Sequence, residues 1–415
     1  MRTTRSELYV DRYAERTRGM TASEIRALFA VASRPEVVSL AGGMPDTSAI
    51  DHAAFAAVTR RVLAEQGAAA LQYGEGQGLP ALRERLTEVM AAEGVPAHPD
   101  EVVVTTGGQQ GLDLVAKLFC DPGDTVVAEG PTYVGALGAF GTYQAQVEHV
   151  PLDDDGLQPE ALVECLERLA GAGRRPKLLY TVPNHQNPAG CSLSPPRREQ
   201  LAALAESHDL LLIEDNPYGL LDFKGETRPS LRSLVPDRVI YVGTLSKILA
   251  PGLRVGWLVA PEPVRDKLVL LKEAADLCQS NLTQYVAEQW FATQPWQQQV
   301  DVFRGVYRER CEAMLAQLDA SFPPSCRWTV PTGGFFVWGQ LPAGIDSREL
   351  LAKALGERVA YVPGAAFYAD GSGANALRLS FCFPPPARIA EGVRRLGELV
   401  AEEVKLITAL YGRPA

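Results

Sequence analysis

Six short runs constrain the fold of this chain more than any other feature. They are "EVVVTT" (101–106), "DTVVAEG" (124–130), "KLLYTV" (177–182), "DLLLIED" (209–215), "RVIYVGT" (238–244) and "GWLVAPE" (256–262). Each is continuously apolar over a strand's length, and helix-length segments such as "LDLVAKLF" stand between them. A strand with one wet face would alternate polar and apolar residues. A run without alternation belongs to a sheet buried on both faces, which means a largely parallel sheet covered by helices. The first five runs end in glycine, proline or polar residues, "GGQQG" after the first and "PNHQNP" after "KLLYTV".

The last third of the chain reads differently. "LLKEAADLCQSNLTQYVAEQWFATQ" and "VDVFRGVYRERCEAMLAQL" have the pattern of long helices. "RWTVPTGGFFVWGQL", "RVAYVPGAAF" and "ALRLSFCF" have the pattern of strands in a smaller α+β unit. At 415 residues the chain is also too long for one ordinary core. The expected division is an N-terminal arm and helix over 1–45 packing with the small domain, a large domain over 46–285 and a small α+β domain over 286–415.

Composition removes several classes of function. A net charge of −10 argues against nucleic acid as a partner, since a phosphate-binding surface needs basic excess. The seven cysteines are scattered, odd in number and without CxxC spacing, which points to reduced thiols in a cytoplasmic protein with no metal site. No stretch is long and apolar enough for a membrane span, and "MRTTRSELYVDRYAERTRG" lacks the apolar core of a signal peptide.

In an open α/β sheet, ligands sit beyond the carboxyl ends of the strands. Here those ends carry Gly107, Gly108 and Gln109 at a helix start, then Asn184 and Asn187, then Glu214, Asp215 and Tyr218, then Thr244, Ser246 and Lys247, with Arg254 beyond. Lys247 stands out because the chain has eight lysines against thirty-two arginines. A lysine in a dry pocket has its ammonium form disfavoured, and the free amine is a nucleophile toward carbonyls. A helix N-terminus favours phosphate. The pair suggests an aldehyde cofactor bearing a phosphate, pyridoxal 5′-phosphate, with Asp215 keeping its ring nitrogen protonated and Asn187 and Tyr218 bonding its ring oxygen.

The segments "YGEGQGLPALR", "GGQQGLDL", "EGPTYVGAL", "PNHQNPAG", "EDNPYG", "TLSKILAPGLRVGW", "PTGGFFVWGQLP", "VPGAAFY" and "LRLSF", in this order, resemble the class I/II aminotransferases of fold type I. The likeness runs from about residue 23 to about 396. Within that family, "SEIRALFAVASRPEVVSLAGGMPD" and the Ser–Lys pair before "ILAPGLR" resemble the 2-aminoadipate/kynurenine branch. The resemblance implies a large domain with a mostly parallel seven-stranded sheet covered by helices, and a smaller α+β domain. It also implies a PLP-dependent enzyme moving an amino group between an L-amino acid and a 2-oxo acid, with glutamate/2-oxoglutarate as one pair and a larger amino acid as the other. A cyclase, oxidase or lyase on the same cofactor is the alternative.

Residue by residue, the resemblance implies Lys247 as the covalent attachment point and proton carrier, and Asp215 as partner of the ring nitrogen. Asn187 and Tyr218 hold the ring oxygen, while Thr244, Ser246, Arg254 and the Gly108–Gln109 backbone hold the phosphate. Tyr133 stacks on the ring. Tyr73 reaches the phosphate of a second subunit, so a homodimer shares its sites. Arg378 clamps the substrate α-carboxylate, and Asn187 and Gly43 line the substrate pocket. Arg26 meets an acidic substrate side chain or swings away for a bulky one. Taken singly, "GGQQG", "EDNPYG", Tyr73 and Tyr133 have ordinary structural readings as turn, cap and packing residues; Arg378 is harder to read that way, because an arginine inside an apolar strand pattern needs an anion or a paired acid. The chain departs from the usual pattern at Gly108, where serine is common, at Ala189 (threonine) and at Ser380 (asparagine).

Overall fold

The computed structural model describes residues 9–18, 20 and 34–412. Strand β1 (Val38–Ser39) belongs to the N-terminal segment. Eight strands then build the main sheet: β2 (Val102–Thr105), β3 (Thr125–Gly130), β4 (Gln146–Asp153), β5 (Gly156–Leu157), β6 (Pro176–Thr181), β7 (Leu212–Asp215), β8 (Val239–Thr244) and β9 (Gly256–Val259). Their order is β2-β9-β8-β7-β6-β3-β4-β5. This is the expected seven-stranded sheet with a two-residue strand, β5, added at its edge. The β4–β3–β6–β7–β8 ladder is parallel throughout, whereas β9 runs antiparallel to both β2 and β8.

The six apolar runs of the sequence are β2, β3, β6, β7, β8 and β9. Every residue of β2, β3, β7 and β9 is buried, as helices covering both faces require. Strand β4, next to the edge, is mostly half-exposed or exposed, and its mixed pattern "QVEHVPLD" hides it in the sequence. Because β2, β3, β6, β7 and β8 point the same way, their carboxyl ends share one rim. Antiparallel β9 brings its amino end, just after Arg254, to that same rim.

The C-terminal part forms a four-stranded antiparallel sheet of β10 (Arg327–Trp328), β11 (Phe336–Gln340), β13 (Val362–Pro363) and β14 (Ala376–Ser380), in the order β10-β11-β14-β13. β12 (Val359–Ala360) pairs in parallel with β1, tying the N-terminal segment to this part of the molecule. The 26-residue helices Trp296–Ser321 and Pro386–Tyr411 flank it.

One expected helix is broken. The run from Leu270 to Gln294 forms two helices, Glu262–Asp276 and Asn281–Thr293, parted at Leu277 with φ +62°. Tertiary hydrogen bonds override the local periodicity here: the Gln279 side chain donates to the Arg254 carbonyl at 2.6 Å, and Gln284 Oε1 accepts from the Leu79 amide at 2.8 Å. Among the described residues, no helix is long and apolar enough to cross a membrane.

Candidate active site

A cavity of about 690 Å3 opens at the shared rim of the main sheet. Its walls include Gly108, Gln109, Tyr133, Asn187, Asp215, Tyr218, Thr244, Ser246, Lys247 and Arg254 from the main sheet's strand ends, together with Gly43 and Arg378. Twelve sequence-expected residues therefore meet in one space. Tyr73 does not: it is 76% exposed and lies away from the cavity walls. Arg26 lies outside the described residues.

Lys247 follows β8, and its Nζ donates to the Gly43 carbonyl at 2.9 Å. Loss of hydration on burial, helped by the nearby Arg378 and Arg254 charges, brings its ammonium down to about 8. Asp215, the last residue of β7, is held up at about 6 by burial, against a hydrogen bond from the Tyr180 hydroxyl and the charge of Lys247. That bond, from Tyr180 Oη to Asp215 Oδ2, is 2.7 Å long.

One side of the cavity is built largely from backbone. The helix Gly108–Phe119 starts at Gly107 without a side-chain cap, so its first N–H groups face the rim. Gly107 sits at φ +78°, and a Cβ there would lie 2.4 Å from Arg254 Nη2, so glycine meets both the backbone and the packing requirement. Arg254 itself adopts φ +54°, with Nη2 donating to the Thr106 carbonyl at 3.1 Å. Thr244 Oγ1 donates to Ser246 Oγ at 2.9 Å and accepts from the Ser246 amide. Behind this cradle stands Asp276, an anion the sequence did not single out. Its carboxylate takes a hydrogen bond from Gln110 Nε2 at 2.7 Å and pairs with the fully buried Lys272 at 3.0 Å. Gln110 Oε1 in turn accepts from the Thr106 amide at 2.6 Å, next to the glycines.

Arg378 arrives from β14 of the other sheet. It is buried between the rings of Phe336 (4.2 Å) and Phe367 (5.1 Å), and burial lowers it to about 10. Nη1 donates to Asn187 Oδ1 at 2.9 Å and Nη2 to the Ala41 carbonyl at 2.6 Å, while Nε has no partner among the described residues. An orphaned N–H on a buried guanidinium is an opening for an anion. Tyr218 is buried against Phe335 and Phe336, at 5.3 and 6.1 Å between ring centres. Tyr133 Oη donates to Gln109 Oε1 at 3.3 Å.

Two residues named with the strand ends turn away. Glu214, one position before Asp215, points to the opposite face and accepts from the Leu231 and Arg232 amides at 3.0 and 2.9 Å. Asn184 engages Asn216 and Arg198 at 2.9 and 2.6 Å. Tyr180 went unmarked in the sequence, although a hydroxyl inside the apolar run "KLLYTV" was the available signal.

The family model for class I and II aminotransferases matches residues 35–396. The chain belongs to this family. It is similar to the aromatic-amino-acid aminotransferase 1 of Thermococcus litoralis, 40% identical over 399 residues with 96% of each chain covered. The structure resembles that of the Pyrococcus horikoshii kynurenine aminotransferase in complex with PMP, kynurenine and its product, with a TM-score of 0.92, 38% identity and coverage of 96% and 99%. It also resembles the α-aminoadipate aminotransferase of Thermus thermophilus complexed with N-(5′-phosphopyridoxyl)-L-leucine, with a TM-score of 0.88, 38% identity and the same coverage. This aminotransferase is PLP-dependent. Its residues fit that cofactor: an uncapped helix start with two hydroxyls and an arginine for phosphate, a carboxylate for the ring nitrogen and an amine with a lowered pKa for the aldehyde.

Proposed function

We propose that this aminotransferase exchanges the amino group between glutamate/2-oxoglutarate and a larger L-amino acid, aromatic, branched-chain or 2-aminoadipate-like. One observation carries the reading: the Lys247 amine and the partly unpaired Arg378 guanidinium, from different sheets, line the same cavity. That supports reading the two as a proton carrier and a carboxylate clamp around one α-carbon. The apolar walls Met44, Leu112, Val134 and Phe336 support a large substrate side chain, as do the kynurenine, aromatic and aminoadipate activities of the relatives.

When bound, pyridoxal phosphate supplies an aldehyde that captures amines and a cationic ring that takes up the electron pair released at the substrate α-carbon. The chain's residues do the rest. Arg378 holds the α-carboxylate with a planar fork. Lys247 takes the α-proton onto Nζ and returns it, a task suited to an amine whose pKa burial has brought near the working pH. Asp215 keeps a proton on the ring nitrogen, and Asn187 and Tyr218 hold the ring oxygen. The Gly108 and Gln109 amides, Thr244, Ser246 and Arg254 hold the phosphate, and Tyr133 covers the ring. Glycine at position 108 leaves the phosphate to backbone donors there.

The working form in this reading is a cytoplasmic homodimer with shared sites. Exposed Leu71, Tyr73, Leu270 and Leu277 support an apolar contact on which Tyr73 reaches the second subunit's phosphate. Seven unpaired cysteines support a reducing compartment. Arg26 is the proposed switch between acidic and bulky side chains.

The test is an amino-donor screen with 2-oxoglutarate on wild type and Arg26→Ala, reading glutamate formed. Turnover of aromatic or aminoadipate donors supports the reading, and selective loss of the acidic donors in Arg26→Ala supports the switch. No glutamate from any donor refutes transamination and favours the cyclase, oxidase or lyase alternative.

A further inference from the structure

We infer that Tyr180 is a positioning residue for the reaction: its hydroxyl holds Asp215 as an oriented carboxylate and so keeps the shared proton on the cofactor's ring nitrogen. This rests on the reading of Asp215 as the partner of that nitrogen. Tyr180 lies within β6, fully buried, with its ring edge-on to Phe140 at 5.9 Å. On the neighbouring strand β7, Asp215 Oδ2 accepts from the Tyr180 hydroxyl at 2.7 Å. That is the only hydrogen bond to the Asp215 side chain among the described residues, and Oδ1 is left for the cavity that Asp215 lines.

The chemistry follows from competition for one proton. A carboxylate and a pyridine nitrogen in contact form either an ion pair or a neutral pair, and burial favours the neutral one. Burial acts strongly on Asp215. A donor on Oδ2 favours the carboxylate, lowers its proton affinity and leaves the proton on nitrogen. Tyr180 suits that task because burial and the Asp215 and Glu129 charges hold its phenol well above its ordinary range, so it stays an O–H donor. Lys247 is the other charged group acting on Asp215, and it favours the carboxylate too. Fixing Oδ2 also fixes the carboxylate plane, which a freely turning group would not offer to the ring.

The experiment uses holoenzyme loaded with cofactor carrying 15N at the ring nitrogen, in wild type and Tyr180→Phe, at neutral pH. In wild type the 15N signal lies in the protonated range. In Tyr180→Phe it moves toward the unprotonated range, kcat falls roughly tenfold and the amino-acid KM stays within about twofold, since Arg378 is untouched. A merely structural hydroxyl would lower the melting temperature and leave the 15N signal of loaded enzyme in place. A folded, loaded Tyr180→Phe with the wild-type signal overturns the inference while sparing Asp215's role. An unprotonated nitrogen in wild type overturns both. Should Tyr180→Phe fail to fold, 3,5-difluorotyrosine at position 180 keeps the ring and strengthens the donor. The inference then requires the protonated signal with undiminished kcat, and loss of either overturns it.

Discussion

Replacing Lys247 by methionine in cofactor-free enzyme should stabilise the fold at neutral pH, and the part of the gain that comes from removing the charge should vanish at high pH. Burial brings the Lys247 ammonium from the ordinary 10.5 down to about 8, so folding with that charge in place costs free energy. At 1.36 kcal/mol per tenfold change in proton affinity, the full shift corresponds to about 3 kcal/mol. Lys247 is only half-buried against the cavity, so water screens part of this, and ~2 kcal/mol is the expectation. The sign follows from linkage. Below pH 8 the lysine is charged both folded and unfolded and the cost is fully present. Between about 8 and 10.5 the folded state releases its proton first and the cost falls away. Urea unfolding of both proteins across that window reads the difference, and any packing gain from methionine adds only a constant. A pH-independent difference, or one that grows with pH, refutes the reasoning that a buried charge is held at this site.

Arg378→Lys replaces a fork by a point charge between Phe336 and Phe367. Steady-state kinetics should show kcat/KM for amino acids falling on the order of 100-fold, about 3 kcal/mol, with cofactor affinity unchanged. Gly107→Ala forces a methyl into a position 2.4 Å from Arg254 Nη2 at φ +78°. Denaturant unfolding should show a loss of about 1–3 kcal/mol from backbone strain in this glycine-only conformation, and absorbance titration of the apoenzyme should show weaker cofactor binding because Arg254 is displaced. Asp276→Asn leaves the buried Lys272 ammonium without its anion and should destabilise by about 3 kcal/mol in denaturant unfolding. The double variant Lys272→Met/Asp276→Leu should regain that stability yet still bind cofactor weakly, because Gln110 and Thr106 lose their anchor.

The strands under the site were legible because a strand buried on both faces leaves no room for a polar residue until it ends. β2, β3 and β6–β9 show this, and Lys247, Asp215 and Asn187 follow because parallel strands deliver their ends to one rim. β4, half-exposed beside the edge, gave no such signal. Pattern also cannot tell Asp215 from Glu214, since adjacent strand residues face opposite sides and register alone decides which meets the cavity, nor Asn187 from Asn184, which stand in one irregular loop whose path is set by contacts such as that of Arg198 with Asn184. Tertiary structure made the remaining choices. Tyr180 meets Asp215 across 35 positions of sequence, Arg378 meets Asn187 across 191, and Asp276 reaches Gln110 across 166. It also broke the helix at Leu277, where hydrogen bonds to distant segments outweighed local propensity. The physical reason is one of range: burial and strand periodicity act on neighbours along the chain and are written in its order. Hydrogen bonds that orient a carboxylate or brace a phosphate cradle join groups that only the folded sheet brings within 3 Å.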